Sequence, residues 1–334
     1  MTAHIRTMAI KTMAIAGAMA AALALATSAS AQIYSIGTGK QGFFTYAAGA
    51  ALAKVAADGG LNLRISPFGG SSAYVPGVNA GEQQFGLANE LETHFAVLGD
   101  EIYKGKPSPD LRVVAVLTPL YSELFVRKDS PIKSIKDLKG KRVPTGYASQ
   151  RVIDVLTKGS LANGGLEYKD ISHVPVPNVV GGADEFAQGK VDVFLFALGA
   201  GKVAEVDSQV GGVRALEVDH SKEAMDRLRK YIPVAYATQL KPGNGHTGID
   251  VPTWAYAYDY LVLANDKVAD DVVYKLAKLM HDHKAELAAN FGALSGFDPG
   301  RMAKDLGPVK FHPGAIKYYT EIGQWPPKAE KNEK

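Results

Sequence analysis

Apolar and polar positions along the chain fall into a repeating order of short strand, turn and helix. A short apolar run from Ile33 to Ile36 predicts a strand. It enters the glycine turn Gly37-Thr38-Gly39-Lys40-Gln41-Gly42, and an Ala-rich helix follows through Tyr46-Ala47-Ala48-Gly49. Leu61 to Ser66 alternates as a second strand, then Pro67-Phe68-Gly69-Gly70-Ser71-Ser72 turns into a helical stretch ending near Asn79-Ala80-Gly81. Gln84 to Ala88 predicts a third strand, closed by Asn89-Glu90 before a helical segment to Tyr103. Leu111 to Leu117 predicts a fourth, ended by Thr118-Pro119.

A second series repeats the pattern. Glu123 to Lys128 reads as a strand, Ser134 to Gly140 as a short capped helix, and Lys141 to Thr145 as a strand. The turn Gly146-Tyr147-Ala148-Ser149-Gln150 then opens a helix over Arg151 to Lys158. Ile171 to Val176 predicts a strand, Gly181-Gly182-Ala183-Asp184 a helix start, and Val191 to Phe196 a buried strand. Val213 to Pro252 reads as irregular, with a loop at Lys241 to Gly245. Tyr256 to Ala264 returns as a strand, and Asp270 to Asn290 as one amphipathic helix with Val273, Leu276, Ala277 and Met280 on a single face. Alternating strands and helices predict an α/β fold with mixed, mostly parallel sheets, whose ligands sit beyond the carboxyl ends of the strands. The two series predict two lobes around a cleft: residues 32–118 with 252–334, and residues 119–251, joined near 118–123 and 251–256.

Residues 1–31 carry Arg6, Lys11 and no acid, an apolar run from Met13 to Ala26, and Ala29-Ser30-Ala31. This is the layout of a cleavable secretory signal. The run is shorter than a membrane span needs, so export to the periplasm is expected. Cleavage removes two of the 37 basic residues and none of the 34 acids, leaving a formal charge of +1, which offers no electrostatic reason to expect nucleic acid. With no cysteine in the sequence, disulfides, thiolate metal sites, cysteine nucleophiles and a lipid-anchoring cysteine are excluded.

A strand running into a glycine turn and a helix aims free N–H groups and the positive helix end at one spot, which suits an anion. The turns therefore supply the candidate ligand contacts. From the first series these are Thr38, Gly39, Lys40 and Gln41, then Ser71 and Ser72, then Asn89. From the second they are Tyr147, Ser149, Gln150 and Arg151, with Tyr121 and Phe196 at strand ends or crossings. Ser71 and Ser72 also suit helix capping, and Arg151 could offer a carboxylate a bidentate fork or lie in solvent. His281 and His283, two apart on a helix, face different ways, so no metal site is expected. His312 fits a structural C-terminal turn. Gly37-x-Gly39-x-x-Gly42 matches a dinucleotide fingerprint, but Asp58 precedes the second strand instead of ending it, so no cofactor is expected. No hydrolase elbow, zinc-protease helix or phosphate loop occurs, and no enzyme activity is expected.

The ordered set Gly37-Thr38-Gly39 with Gly42, Tyr46 and Gly49, then Gly69-Gly70-Ser71, Leu120-Tyr121-Ser122-Glu123, Ile135 to Val143, and Phe311-His312-Pro313-Gly314-Ala315-Ile316-Lys317-Tyr318-Tyr319 resembles the TAXI family of solute receptors of tripartite ATP-independent periplasmic (TRAP) transporters. The resemblance implies a two-lobed periplasmic binding protein of type II-like fold. It would act as a monomer, close on a small organic anion (a glutamate-like amino acid, dicarboxylate or 2-oxoacid) and deliver it to TRAP permease subunits driven by an ion gradient. The chain departs from the family at Lys40-Gln41, Phe43-Phe44 and Tyr147-Ala148-Ser149-Gln150. Alternatives are a receptor presenting its ligand to a membrane sensor, and an exported enzyme on the same scaffold.

Overall fold

Ten strands and ten helices order the computed structural model, which describes residues 32–243 and 245–327. The expected signal at 1–31 and Asn244 of the predicted loop lie outside the described residues. β1 (Ile33–Gly39), β2 (Asn62–Phe68) and β3 (Phe85–Asn89) alternate with α1 (Phe44–Asp58), α2 (Ser71–Ala80) and α3 (Glu90–Leu98), as the hydrophobic pattern predicts. β1 and β3 are parallel, Ile36 pairing with Phe85.

Two long strands carry the rest. β4 (Leu111–Arg127) and β10 (Thr253–Asn265) run antiparallel from Asn265↔Leu111 to Ala257↔Tyr121. At one end of this ribbon β10 pairs with β3 through Tyr260 to Ala264. At the other, β10 pairs with β9 (Tyr236–Leu240), while β4 pairs with β7 (Phe194–Ala197) and β8 (Val213–Ala215). A separate parallel pair joins β5 (Arg142–Thr145) to β6 (Ser172–Pro175). The sheets are mixed, as expected, but β4 and β10 pair antiparallel with every strand beside them, and only the isolated bridge Val113↔Phe311 on β4 is parallel.

Three predicted features come out differently. Thr118-Pro119 does not end the fourth strand: β4 continues through it. A proline lacks the N–H that a central ladder needs. At Pro119, β4 is paired with β10 at Asp259, and its pairing with β7 begins only at Ser122, so one side of the strand is free of a ladder there. Residues 213–252 are not irregular, since they hold β8, β9 and α7 (Lys222–Arg229). The long C-terminal helix is two, α8 (Asp270–Asp282) and α9 (Lys284–Asn290), broken at His283 with φ −118° and ψ 37°.

The other helices are α4 (Val152–Asn163), α5 (Val179–Ala187), α6 (Gly201–Val210) and α10 (Pro313–Glu321). α1 packs on β2 and α8, and α10 on α8. At the far end α4 packs on α7, and α5 on β7. His312 Nδ1 accepts the Gly314 N–H and caps α10, the structural role its sequence context implies. No described helix is long and apolar enough to cross a membrane.

Candidate functional site

The turn after β1 places Phe43 and Phe44 at the start of α1, both buried. Phe44 stacks on Tyr260 of β10, ring centroids 4.7 Å apart and planes 11° apart. Residues two apart on a strand share a face, so Tyr256, Tyr258 and Tyr260 form one row, and Tyr256 stacks on Tyr258. Tyr258 is opposite Leu120 of β4, and its hydroxyl is 3.2 Å from Ser122 Oγ. From the other end of the ribbon come α4, whose Ser160 donates to the Tyr256 hydroxyl, and β7, whose Phe196 is opposite Glu123.

These elements enclose a cavity of about 30 Å³, two to three times the roughly 10–15 Å³ that one enclosed water needs. Phe43, Phe44, Asn89, Leu120, Ser122, Tyr258 and Tyr260 form one wall. Gln150, Ile153, Leu156, Val179, Leu195, Phe196 and Ala197 form the other. Among the described residues no Asp, Glu, Lys, Arg or His lines it.

Two amide side chains, Asn89 and Gln150, are among the lining residues. Asn89 caps α3, its Oδ1 accepting the Glu92 N–H at 2.8 Å. Gln150 Oε1 accepts the Val179 N–H at 3.2 Å. Both oxygens are committed to helix starts, which leaves the NH₂ group of each as its remaining polar group.

Beside the cavity the walls are tied together. Ser149 Oγ and Asn178 Nδ2 donate to the Gly69 carbonyl, at 3.1 and 2.9 Å, and the Arg151 N–H donates to Ser72 Oγ. Gly70 is the point of closest approach: a Cβ there would lie 2.3 Å from the Ser149 carbonyl oxygen. Ser72 passes its own hydrogen to Glu92 Oε1, which also accepts from the Tyr103 hydroxyl, both at 2.9 Å. Burial pushes the Glu92 carboxyl up, against the lowering by the Ser71, Ser72 and Tyr103 hydroxyls and by Arg151. The Arg151 guanidinium sits 5.8 Å from the Tyr103 ring centre.

Of the predicted contacts, Asn89, Gln150 and Phe196 line the cavity, while Ser72, Ser149 and Arg151 stand in the ties beside it. Tyr121 lines a neighbouring cavity of about 270 Å³ with His246, Thr118 and Gly199. Lys40 and Gln41 are exposed. Thr38 is buried and donates to the Gly39 carbonyl, and the Gly39 N–H donates to Thr45 Oγ1, so both serve the turn itself. Ser71 is buried beside the Glu92 carboxyl, which its hydroxyl helps to hold down, and Tyr147 is buried in its own turn at φ +39°. Sequence reasoning missed Phe43, Phe44, Ser122, Tyr258 and Tyr260. The tyrosine alternation of β10 was the available signal for the last two.

Three buried acids lie close by. Asp259 and Glu90 share Lys304, at 2.7 and 3.4 Å, and burial raises the Glu90 carboxyl. Glu123 is fully buried, with neither oxygen hydrogen-bonded, and burial pushes its carboxyl well up. Among the described residues no cluster of three or more His, Asp or Glu could hold a metal ion.

A mixed sheet threaded by two long strands, with an enclosed cavity against them, is the fold of periplasmic binding proteins. A structure described as a periplasmic transporter superposes with a TM-score of 0.59 at 14% identity, covering 89% of this chain and 94% of its own. PhnD1 from Prochlorococcus marinus (MIT 9301), solved with methylphosphonate, gives 0.56 at 11% identity, covering 88% and 100%. The chain belongs to the NMT1-like family, which it matches over residues 36–323.

Proposed function

We propose that this protein is an exported receptor that captures a small organic anion in the cavity and delivers it to a membrane permease. The supporting observation is that one enclosed cavity takes its walls from both ends of the β4–β10 ribbon, and that the walls are tied by hydrogen bonds to Gly69 and Ser72. In this reading residues 32–118 with 252–334 form one lobe and 119–251 the other. The hinges at 118–123 and 251–256 are the stretches of β4 and β10 that carry the ribbon between them. The ligand shifts the population to the closed form by binding it more tightly than the open one. Asn89, Gln150 and Phe196, joined by Ser122 and Tyr258, make the contacts.

The resemblance of the sequence to TAXI receptors supports a TRAP permease. Reconstituted uptake driven by a sodium gradient without ATP is the expected result, and uptake that requires ATP would assign the receptor to an ABC system instead. The binding reading is tested by thermal unfolding of ligand-stripped protein. A ligand at 100 times its dissociation constant adds about 2.7 kcal/mol of stability, and it should be recovered chemically unchanged. Stabilisation accompanied by turnover would point to an enzyme.

A further inference from the structure

At roughly 10–15 Å³ for each enclosed water, the cavity of about 30 Å³ can take one end of an organic solute but not its body. Resting on the receptor reading above, we propose that the neighbouring cavity of about 270 Å³ holds that body, and that the solute is a hydroxylated carboxylic acid.

Position is the first reason. The two cavities share Phe44, and Leu120 lines one where its neighbour Tyr121 lines the other. The larger cavity also draws on both proposed lobes: Ala293, Ser295 and Gly296 belong to one, Leu198, Gly199 and His246 to the other, with Pro119 and Tyr121 at a proposed hinge. Its room has a structural origin. The pairing of β4 with β7 begins at Ser122, and the Leu198 N–H then donates to the Tyr121 carbonyl. That edge of β4 is free of a ladder at Thr118 and Pro119, both of which line the cavity. Glycine keeps two points of the wall clear, since a Cβ on Gly199 would lie 3.2 Å from the Ala293 Cβ and one on Gly296 3.3 Å from Thr118 Oγ1.

Volume and chemistry then limit the solute. The cavity falls just under the roughly 300–1,000 Å³ of pockets for drug-sized ligands, so the body is small. Thr118, Tyr121 and Ser295 bring hydroxyl groups to the lining, and His246 an imidazole. His246 Nδ1 lies 3.1 Å from the Lys241 carbonyl and donates to it, which leaves Nε2 as the remaining polar atom of the ring. The Tyr121 ring stands edge-on to His246, centroids 6.3 Å apart, and burial, then Asp259, raise its phenol and keep it a hydroxyl. Hydroxyls both donate and accept, so a hydroxylated body can pair with this wall, whereas a bare hydrocarbon would take its water and return no hydrogen bond. Phe44, Pro119, Leu198 and Ala293 suit the carbon skeleton. The acid group comes from the receptor reading; the hydroxylated body is what this cavity adds.

The test is calorimetric titration of refolded, ligand-stripped protein with matched pairs of acids: L-threonate and butanoate, D-gluconate and hexanoate, quinate and cyclohexanecarboxylate, 4-hydroxybenzoate and benzoate. At least one hydroxylated acid should bind at least about tenfold more tightly than its plain counterpart, which leaves polar groups of the wall unpaired. Tyr121→Phe, which keeps the ring, should weaken that ligand about threefold or more. Ala293→Leu, which fills the cavity, should weaken it at least about tenfold, with folding checked by circular dichroism. Should Ala293→Leu fail to fold, Ser295→Leu at an exposed position serves the same purpose. Plain acids that bind as tightly as their hydroxylated counterparts overturn the solute class and leave the receptor intact. Binding that is indifferent to Tyr121→Phe and to the filling variant overturns the placement in this cavity and also leaves the receptor intact. Silence from all four pairs overturns this inference and counts against the organic-anion receptor itself.

Discussion

Glu123 shows how one side chain can make stability depend on pH. Its carboxyl is fully buried on β4 with no hydrogen-bond partner, so burial favours its protonated form in the folded protein, while the unfolded chain ionises it near pH 4.3. A carboxyl raised on folding contributes its stability in full below the unfolded value, and the contribution is lost as pH rises toward the folded one. Glu123→Gln keeps the shape and removes the ionisation. Urea unfolding of the variant should give a flatter stability profile above about pH 4.3 and a higher midpoint than the parent at pH 8. A parallel decline in both proteins would show that Glu123 finds a partner or solvent.

Arg151 shows how position decides what a charge can do. The sequence offered it as a fork for a ligand carboxylate, yet its guanidinium rests over Tyr103 and it is not among the residues that line the cavity. Arg151 is exposed, and at such a site the ring contact is worth about 0.5–1 kcal/mol. The hydrogen bond to Ser72 comes from the backbone and survives substitution. Arg151→Ala should therefore weaken ligand binding less than tenfold by calorimetry. A loss of two or more orders of magnitude would put the guanidinium on the ligand.

Among the elements, the turn before α2 sets how closely the two walls can meet. The glycine pair at 69 and 70 offers a bare carbonyl to Ser149 and Asn178, and Gly70 leaves room for the Ser149 backbone. Gly70→Ala would set a Cβ 2.3 Å from the Ser149 oxygen, and backbone on both sides cannot yield as a flexible side chain would. The variant should keep its fold, show a larger radius of gyration in small-angle scattering with ligand present, and bind more weakly. An unchanged scattering curve with unchanged affinity would remove this contact from closure.

Across the whole molecule, β4 and β10 both line the cavity, and the buried Asp259 of β10 is tied to the C-terminal region by Lys304 and, at 4.0 Å, by Arg301. Lys304, reaching back from the C-terminal region, approaches Asp259 on β10 and Glu90 at the start of α3. Removing one member of a buried ion group costs about 3–5 kcal/mol when it leaves a charge unpaired, and Arg301, 4.0 Å from Asp259, keeps the loss below the top of that range. Lys304→Met should lower the urea midpoint by a corresponding amount. Adding Asp259→Asn should recover part of the loss, a coupling that only a shared interaction produces. Additive losses would mean that the two residues act separately.

The sequence by itself determined the local order of this protein. Strand, turn and helix alternate as the hydrophobic periods require, because those periods follow from backbone geometry alone. Asn89 as a helix cap and His312 at the start of α10 follow from local hydrogen bonding. The tertiary structure decided what depends on neighbours. Pro119 sits inside β4, where only β10 uses the ladder, and residues 213–240 become β8, α7 and β9 because long strands elsewhere offer edges to pair with. The cavity combines residues as distant as Phe43, Gln150 and Tyr260. Its missing charge was invisible from the turns, because whether Lys40 or Arg151 reaches a ligand is fixed by how two walls meet, and no local pattern encodes that distance.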